Sequence, residues 1–126
     1  METCSTGAST RGHMILCIDD EPQGLQVRQM MLQSRGYKVL TAKGGQEGLE
    51  VFTNHPVSAV ILDYSMPGMD GGELAAELKR IKPEVKILML SAYVDLPQEA
   101  LACVDAREVK GTSPTAILNA LDRLLS

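Results

Sequence analysis

The sequence is poor in aromatic residues: its 126 residues include three tyrosines, one phenylalanine and no tryptophan. Proteins that bind single-stranded nucleic acid stack the bases on aromatic side chains, so this composition argues against that class of protein. The chain also lacks a basic run, and its formal net charge is −4. Because attraction to the phosphate backbone needs a basic surface, we expect no direct binding to nucleic acid.

Long hydrophobic runs are also missing. No apolar run approaches the ~18 residues that a membrane-spanning helix requires, and residues 1–12 are small and polar, unlike a signal peptide. Cysteine is scarce: Cys4, Cys17 and Cys103 form no closely spaced pair for a metal, and their odd number is typical of a reducing compartment. We therefore expect a cytoplasmic protein without membrane insertion.

The composition that remains is typical of one globular domain, with 44% hydrophobic and 22% charged residues. A chain of this length is expected to fold as a single domain with its own core. We predict that residues 1–12 are a disordered tail or a cloning remnant and that residues 13–126 form the domain. Two organisations stay open: a single-domain protein that acts through protein contacts, or a part of a longer protein.

Short apolar segments alternate with segments that have helical spacing. The predicted strands are residues 14–18, 37–41, 57–62, 86–90 and 107–109, and the predicted helices are residues 22–35, 45–53, 72–81, 97–104 and a closing helix from Pro114. The run at 57–62 is apolar apart from Ser58, as in a strand buried on both faces. This alternation predicts an α/β fold of βα units, a doubly wound parallel sheet covered by helices on both faces.

The first predicted helix has an apolar face that we expect to pack on the sheet. Val27, Met30 and Met31 recur at helical spacing, and Leu25 and Leu32 widen the face. A glycine that follows is a typical helix stop, which sets the predicted end of this helix.

Polar side chains follow several of the predicted strands. Asp19 and Asp20 follow the first strand, Asp63 the third, Ser91 the fourth and Lys110 the fifth. Parallel strands end at the same edge of a sheet, where such folds bind their ligands, so we expect these side chains to converge. Clustered carboxylates repel one another unless a cation lies between them, and carboxylates with retained waters suit Mg²⁺.

This set of residues predicts chemistry on a phosphoryl group. A metal ion, an ammonium group and a hydroxyl group together stabilise the charge of a transferring phosphoryl group. Asp63 is the carboxylate best placed as the nucleophile, which would give an aspartyl phosphate. Taken singly, each residue also has an ordinary structural interpretation, such as a helix start, a turn or a solvent-exposed lysine. Their joint placement at the strand ends favours the site.

The segments CIDDEP, ILDYSMPGMDGGEL, LMLSAY and VKG resemble those of the receiver domains of two-component response regulators. The resemblance spans residues 13–126 and implies a flavodoxin-like sheet with the strand order 2-1-3-4-5. It implies Asp63 as the phosphoacceptor, with Ser91 and Lys110 beside the phosphoryl group. The implied ligands of Mg²⁺ are Asp19, Asp20, Asp63 and the backbone carbonyl of Ser65.

The same resemblance implies partners. A sensor histidine kinase or a histidine phosphotransfer protein would donate the phosphoryl group, and a downstream protein would bind the face formed by helix 4, strand 5 and helix 5. Two positions depart from the family pattern, since Arg107 replaces the usual aromatic residue and Gly111 follows Lys110 in place of proline. The segment between Ser91 and Lys110 is also short, so we expect an abbreviated fourth helix.

Other functions stay open at this point. A degenerate receiver would serve as a phosphate-independent protein-binding module, which the residues at positions 107 and 111 favour. A Mg²⁺-dependent phosphatase with an aspartate nucleophile usually has a second aspartate two positions after the first, where this chain has Ser65. A flavin-binding protein would need a phosphate loop after the first strand, where this chain has carboxylates, which repel phosphate without a metal.

Overall fold

The computed structural model describes residues 12–93 and 95–126, so all of the predicted tail except Gly12 lies outside the described residues. Parallel strands form one five-stranded sheet of order β2-β1-β3-β4-β5, which confirms the predicted fold class. The strands are β1 (Met14–Ile18), β2 (Lys38–Ala42), β3 (Ala59–Asp63), β4 (Lys86–Ser91) and β5 (Ala106–Val109). The helices are α1 (Pro22–Ser34), α2 (Gly45–Asn54), α3 (Gly71–Ile81), α4 (Gln98–Leu101) and α5 (Pro114–Leu125). No helix in the described ranges is long and apolar enough to cross a membrane.

The sheet carries a hydrophobic layer on each face. One layer joins the sheet to α2 and α3 through residues such as Phe52 and Leu74. The other joins it to α1 and α5 through residues such as Leu32 and Leu121. Every residue of β3 is buried, because side chains alternate between the two faces and both faces are covered. The carboxylate at the end of β3 therefore emerges from the best-packed strand of the sheet.

The apolar face predicted for α1 is wrong in part. Val27 and Met30 are 54% and 64% exposed, whereas Leu25 and Leu32 are buried. The residues of α1 that face the sheet are spaced by three and four positions, so their stripe also includes Arg28. Val27 and Met30 lie off that stripe and meet solvent.

The fourth helix is abbreviated, as expected, and it is shorter than the predicted range 97–104. It ends at Leu101. The N–H of Val104 then donates to the carbonyl of Leu101 at 3.2 Å, which is the three-residue spacing of a 3₁₀ turn instead of the four-residue spacing of an α-helix. The N–H of Asp105 then donates to the carbonyl of Ile87 at 2.9 Å. Because this hydrogen bond places Asp105 beside β4, the helix ends before Asp105.

Helix α3 begins directly beside the end of β3. Asp70 caps the helix by accepting from the N–H of Glu73, whose side chain in turn accepts from the N–H of Asp70. The N–H of Gly71 donates to the carbonyl of Tyr64 at 2.8 Å. A Cβ atom at Gly71 would lie 2.8 Å from the Cα atom of Tyr64, so only glycine permits this approach. The loop after Asp63 is thereby held against the start of α3.

Candidate functional site

Strand pairing places two of the predicted carboxylates side by side. Ile18 of β1 lies beside Leu62 of β3 in the parallel register. The residues that directly follow Ile18 and Leu62, namely Asp19 and Asp63, are therefore neighbours at the carboxyl edge of the sheet.

The remaining strands bring the serine and the lysine to the same edge. Asp63 pairs with Leu90 of β4, and Ser91 pairs with Val109 of β5. Lys110 follows directly, and its side chain turns back towards Asp63. The structure thus gathers the strand-end residues that the sequence singled out.

The carboxylates of Asp19, Asp20 and Asp63 form a compact cluster. Each offers one oxygen, and these oxygens all lie within 4.8 Å of one another. Asp19 and Asp63 are only 1% and 4% exposed, whereas Asp20 is exposed. Mg²⁺ prefers one or two carboxylates together with retained waters, so a donor set with two buried carboxylates and one open to solvent fits this ion.

Lys110 is the cation that bridges the cluster. Its Nζ lies 2.9 Å from Asp63 Oδ2, 3.5 Å from Asp19 Oδ2 and 3.6 Å from Glu21 Oε1. Burial opposes the charged ammonium, but the hydrogen bond donated to Asp63 and the charge of Asp19 outweigh burial and raise the pKa of Lys110. Lys110 therefore stays protonated and can bind an anion at this edge.

The two buried carboxylates have pKa values shifted in opposite directions. Burial raises the pKa of Asp63, the hydrogen bond from Lys110 lowers it and the charge of Asp19 raises it, so the net shift is upward. Burial is also the largest effect on Asp19, but the N–H of Glu21 and the charges of Lys110 and Arg28 outweigh it, so the pKa of Asp19 is lowered. Asp63 is thus a buried anion with too little compensating charge, and a bound cation would supply what is missing.

Two serines lie at the same edge of the sheet as the cluster. The hydroxyl oxygen of Ser91 accepts from the N–H of Tyr93 at 2.9 Å, which leaves its own O–H as a donor. The carbonyl of Ser91 accepts from the N–H of Lys110 at 2.7 Å. The N–H of Ser65 lies 3.4 Å from Asp63 Oδ1, so the backbone of Ser65 reaches the site.

Sequence reasoning missed Arg28. Its Nη2 donates to Asp19 Oδ2, and its side chain is only 12% exposed. The signal was present in the sequence, because Arg28 lies three positions after Leu25 and four before Leu32 on the buried stripe of α1. A charge on such a stripe requires a partner of opposite charge. Once Leu25 and Leu32 are known to face the sheet, this spacing indicates an acidic partner for Arg28.

The family model described as the response regulator receiver domain matches residues 15–110 of this chain. The chain belongs to this family. It is accordingly a receiver domain of two-component signalling systems, and the match includes the strand ends that carry Asp19, Asp63 and Lys110. The assignment supports the receiver interpretation over the phosphatase and flavin-binding alternatives.

Individual relatives agree with the family assignment. The transcriptional regulatory protein GlrR of Escherichia coli K12 is 38% identical over 88 residues, which are 70% of this receiver domain chain and 20% of GlrR. The crystal structure of the response regulator protein TrrA of Thermotoga maritima, in complex with Mg(2+)-BeF, is 33% identical with a TM-score of 0.84, and the likeness covers 90% of this chain and 99% of that one. A structure of histidine kinase ThkA in complex with TrrA contains a chain 34% identical with a TM-score of 0.83, covering 90% of this chain and 99% of that one. The chain thus spans a fifth of GlrR and nearly all of TrrA.

Proposed function

We propose that this receiver domain is a phosphorylation-switched signalling module that accepts a phosphoryl group on Asp63. The observation that carries the proposal is the site geometry: Asp63 is buried, Lys110 Nζ lies 2.9 Å from its Oδ2, and the carboxylates of Asp19 and Asp20 lie within 4.8 Å of it. A sensor histidine kinase or a histidine phosphotransfer protein is the proposed donor. The solved complex of TrrA with histidine kinase ThkA supports a donor of this class.

Asp63 acts as the nucleophile in the proposed transfer. A carboxylate oxygen attacks the phosphorus of phosphohistidine, a P–O bond forms, the P–N bond breaks and its electron pair leaves with the imidazole nitrogen. Lys110 donates to one oxygen of the transferring group, and the free O–H of Ser91 donates to another. Water later attacks the phosphorus of the acyl phosphate, the P–O bond to Asp63 breaks with its electron pair on the carboxylate, and inorganic phosphate is released.

Mg²⁺ is the proposed cofactor. The proposed ligands are Asp19, Asp20, Asp63 and the backbone carbonyl of Ser65. The compact carboxylate cluster and the upward shift in the pKa of Asp63 both favour a cation at this position. When bound, Mg²⁺ neutralises charge on the oxygens of the transferring phosphoryl group. The complex of TrrA with Mg(2+)-BeF supports the choice of ion.

Phosphorylation is proposed to act on the rest of the molecule through Ser91 and Lys110. The added phosphoryl oxygens at Asp63 are strong acceptors that compete for both side chains. Because the N–H of Lys110 donates to the carbonyl of Ser91 at 2.7 Å, the ends of β4 and β5 are coupled and would move together. The face formed by α4, β5 and α5 is the proposed binding surface for a downstream protein, and it carries the unusual residues Arg107 and Gly111.

Residues 13–126 are proposed to act as one receiver domain in the cytoplasm. Cys17 and Cys103 are both free thiols, which suits a reducing compartment. The net charge of −4 gives no basic surface for nucleic acid, so protein partners are proposed instead.

The test is incubation of the full chain with Mg²⁺ and acetyl phosphate, followed by mass spectrometry of the intact protein at neutral pH. The expected result is a gain of one phosphoryl group in the wild type and no gain in Asp63→Asn. Lys110→Ala keeps the nucleophile Asp63 but loses the lysine ammonium, so this variant should gain the phosphoryl group more slowly than wild type. A wild-type protein without the gain, or an Asp63→Asn variant that keeps it, would overturn the proposal.

A phosphate-independent binding module is the second candidate function. The proposed partner face carries Arg107 and Gly111 where the family usually has an aromatic residue and a proline. Arg107 is exposed on β5, and Gly111 has a φ of +94°. If this candidate is right, a partner protein binds wild type and Asp63→Ala equally, with or without acetyl phosphate. Partner binding that rises on phosphorylation and is lost in Asp63→Ala favours the first proposal instead.

A further inference from the structure

Arg28 lies inside the acidic site although it belongs to a helix that supplies no proposed ligand. Its side chain is 12% exposed, and its Nη2 donates to Asp19 Oδ2, which belongs to a side chain only 1% exposed. We propose that Arg28 is an internal competitor of the metal: its guanidinium occupies an oxygen of Asp19 and thereby weakens the binding of Mg²⁺ at the acidic site. The inference rests on the proposed function, in which Asp19 is a ligand of Mg²⁺.

The oxygens of Asp19 already have donors from the protein. Oδ1 accepts from the N–H of Glu21 at 3.0 Å. Oδ2 accepts from Arg28, and Lys110 Nζ lies 3.5 Å away from the same atom. A metal ion that takes Oδ2 must therefore displace the guanidinium or share the oxygen with it. In either case the cation of Arg28 and the cation of the metal stand close together and repel each other.

Gly24 supplies an independent indication that this contact is built into the helix. A Cβ atom at Gly24 would lie 3.2 Å from Arg28 Nη2 and 3.7 Å from Asp19 Oδ2. Glycine within a helix costs about 1 kcal/mol relative to alanine, so this position gives up helix stability. The absence of a side chain at Gly24 leaves room for the guanidinium of Arg28 beside the carboxylate of Asp19.

The charges explain why the chain carries an arginine at this point. Asp19 and Asp63 are buried neighbours, and their repulsion is one of the effects that raise the pKa of Asp63. Arg28 supplies compensating charge to Asp19 when no metal is bound. The consequence is a weaker affinity for Mg²⁺, since part of the negative charge that attracts the ion is already neutralised.

The test is isothermal titration of MgCl₂ into the metal-free full chain. Arg28→Met replaces the guanidinium with an unbranched apolar side chain that can fill the space between the two leucines of the stripe. We expect Arg28→Met to bind Mg²⁺ about tenfold more tightly than wild type, because a close positive charge is removed. Arg35→Met is the matched control: it removes the same charge from the end of the same helix, where Arg35 pairs with Asp122, and we expect its affinity to stay within about twofold of wild type.

The outcomes separate this inference from the proposed function. Wild type that binds Mg²⁺, together with an Arg28→Met variant that binds it equally or less tightly, overturns the role of Arg28 and leaves the proposed function standing. Absence of Mg²⁺ binding in both proteins overturns both. A purely structural role for Arg28 would change the stability to unfolding without tightening Mg²⁺ binding.

Gly24→Ala decides the question if Arg28→Met does not fold. The variant keeps every charge and favours the helix, and its new methyl group, 3.2 Å from Arg28 Nη2, requires the guanidinium to shift by a few tenths of an ångström beside Asp19. Tighter Mg²⁺ binding by Gly24→Ala than by wild type supports the competition. An unchanged or weaker affinity contradicts it.

Discussion

The two halves of the carboxyl edge are packed very differently. On the side of β1 and β3, all of β3 is buried, and α3 buries five of its 11 residues. On the side of β4 and β5, β4 is buried apart from Lys86, but α4 has four residues and buries Ala100, and each residue of β5 keeps some exposure. Asp63, the proposed acceptor, belongs to the first half, and the proposed partner face belongs to the second.

The difference separates Asp63, the proposed site of phosphorylation, from the proposed partner face, while Ser91 and Lys110 at the ends of β4 and β5 lie on the second side. Buried carboxylates that repel one another need a rigid support, and the packing around β3 provides it. A partner face that must respond to a single phosphoryl group needs a segment with a low cost of movement, and a short helix beside a partly exposed strand meets that need. The predictions below start with a contrast between the two sides and continue with changes at residues within one side.

The largest difference is expected between Ile61→Ala in β3 and Val109→Ala in β5. Ile61 is 1% exposed, so its truncation leaves a cavity and should cost about 2–5 kcal/mol in the free energy of unfolding. Val109 is partly exposed, so its truncation should cost less than about 1 kcal/mol. Urea unfolding measures both values, and equal losses would contradict the contrast.

Two adjacent glycines of α3 provide the next comparison. In Gly71→Ala the new methyl group meets the Cα atom of Tyr64 at 2.8 Å and the carbonyl oxygen of Asp63 at 2.9 Å, and this backbone cannot yield, so we expect a cost of about 1–3 kcal/mol. In Gly72→Ala it meets the Cα atom of Ala100 at 2.6 Å, and we expect a smaller loss because we expect the four-residue α4 to shift in response. Thermal unfolding of the two variants measures both losses of stability. A larger loss in Gly72→Ala would show that α4 yields less than the backbone of Tyr64 and Asp63.

Asp105 is expected to matter because it joins the start of β5 to neighbouring elements through polar contacts. Its Oδ2 accepts from the N–H of Ile87 at 2.8 Å and forms an ion pair with Lys79 Nζ at 2.8 Å, which joins the start of β5 to its neighbours. Asp105→Ala leaves a buried N–H without its acceptor and should cost about 1–2 kcal/mol. Asp105→Asn keeps an acceptor oxygen and should lose less, and equal losses in urea unfolding would assign the effect to the ion pair instead.

The smallest effects concern the two buried carboxylates without metal. The lowered pKa of Asp19 stabilises the fold above the ordinary carboxyl pKa, and this contribution is lost as the pH falls through the lowered value. The raised pKa of Asp63 has the opposite sign: the ionised group destabilises the fold at neutral pH, and the cost disappears in acid. At pH 7 with a chelator, Asp19→Asn should therefore lower the unfolding free energy and Asp63→Asn should raise it. Shifts of the same sign, or a difference that persists in strong acid, would contradict the assignment.

The sheet and the convergence at its edge could be predicted from local signals. Apolar runs identified the strands, and the predicted boundaries agree with the structure within two residues apart from α4. The resemblance to receiver domains supplied the strand order, which the apolar runs alone do not determine. The polar residues at the strand ends then followed, because every parallel strand ends at one edge.

The errors came from choices that only packing decides. Helix α1 has apolar residues on two sides, so spacing alone does not tell whether Met30 or Leu32 faces the sheet. The ion pair of Arg28 with the buried Asp19 shows that the side with Leu32 faces the sheet, but the burial of Asp19 is known only from the structure. The end of α4 depends on the contact of Asp105 with Ile87, which lies 18 positions away in the sequence and leaves no mark in the local spacing.

The central claim is that Asp63 is the phosphoacceptor. The most direct measurement is reduction of the acetyl phosphate-treated chain with borohydride, which converts an aspartyl phosphate into homoserine, followed by peptide sequencing by mass spectrometry. We predict homoserine at position 63 alone, and only when Mg²⁺ and acetyl phosphate are both present. Homoserine at position 19 or 20, or no homoserine at all in a chain that binds Mg²⁺, would contradict the account.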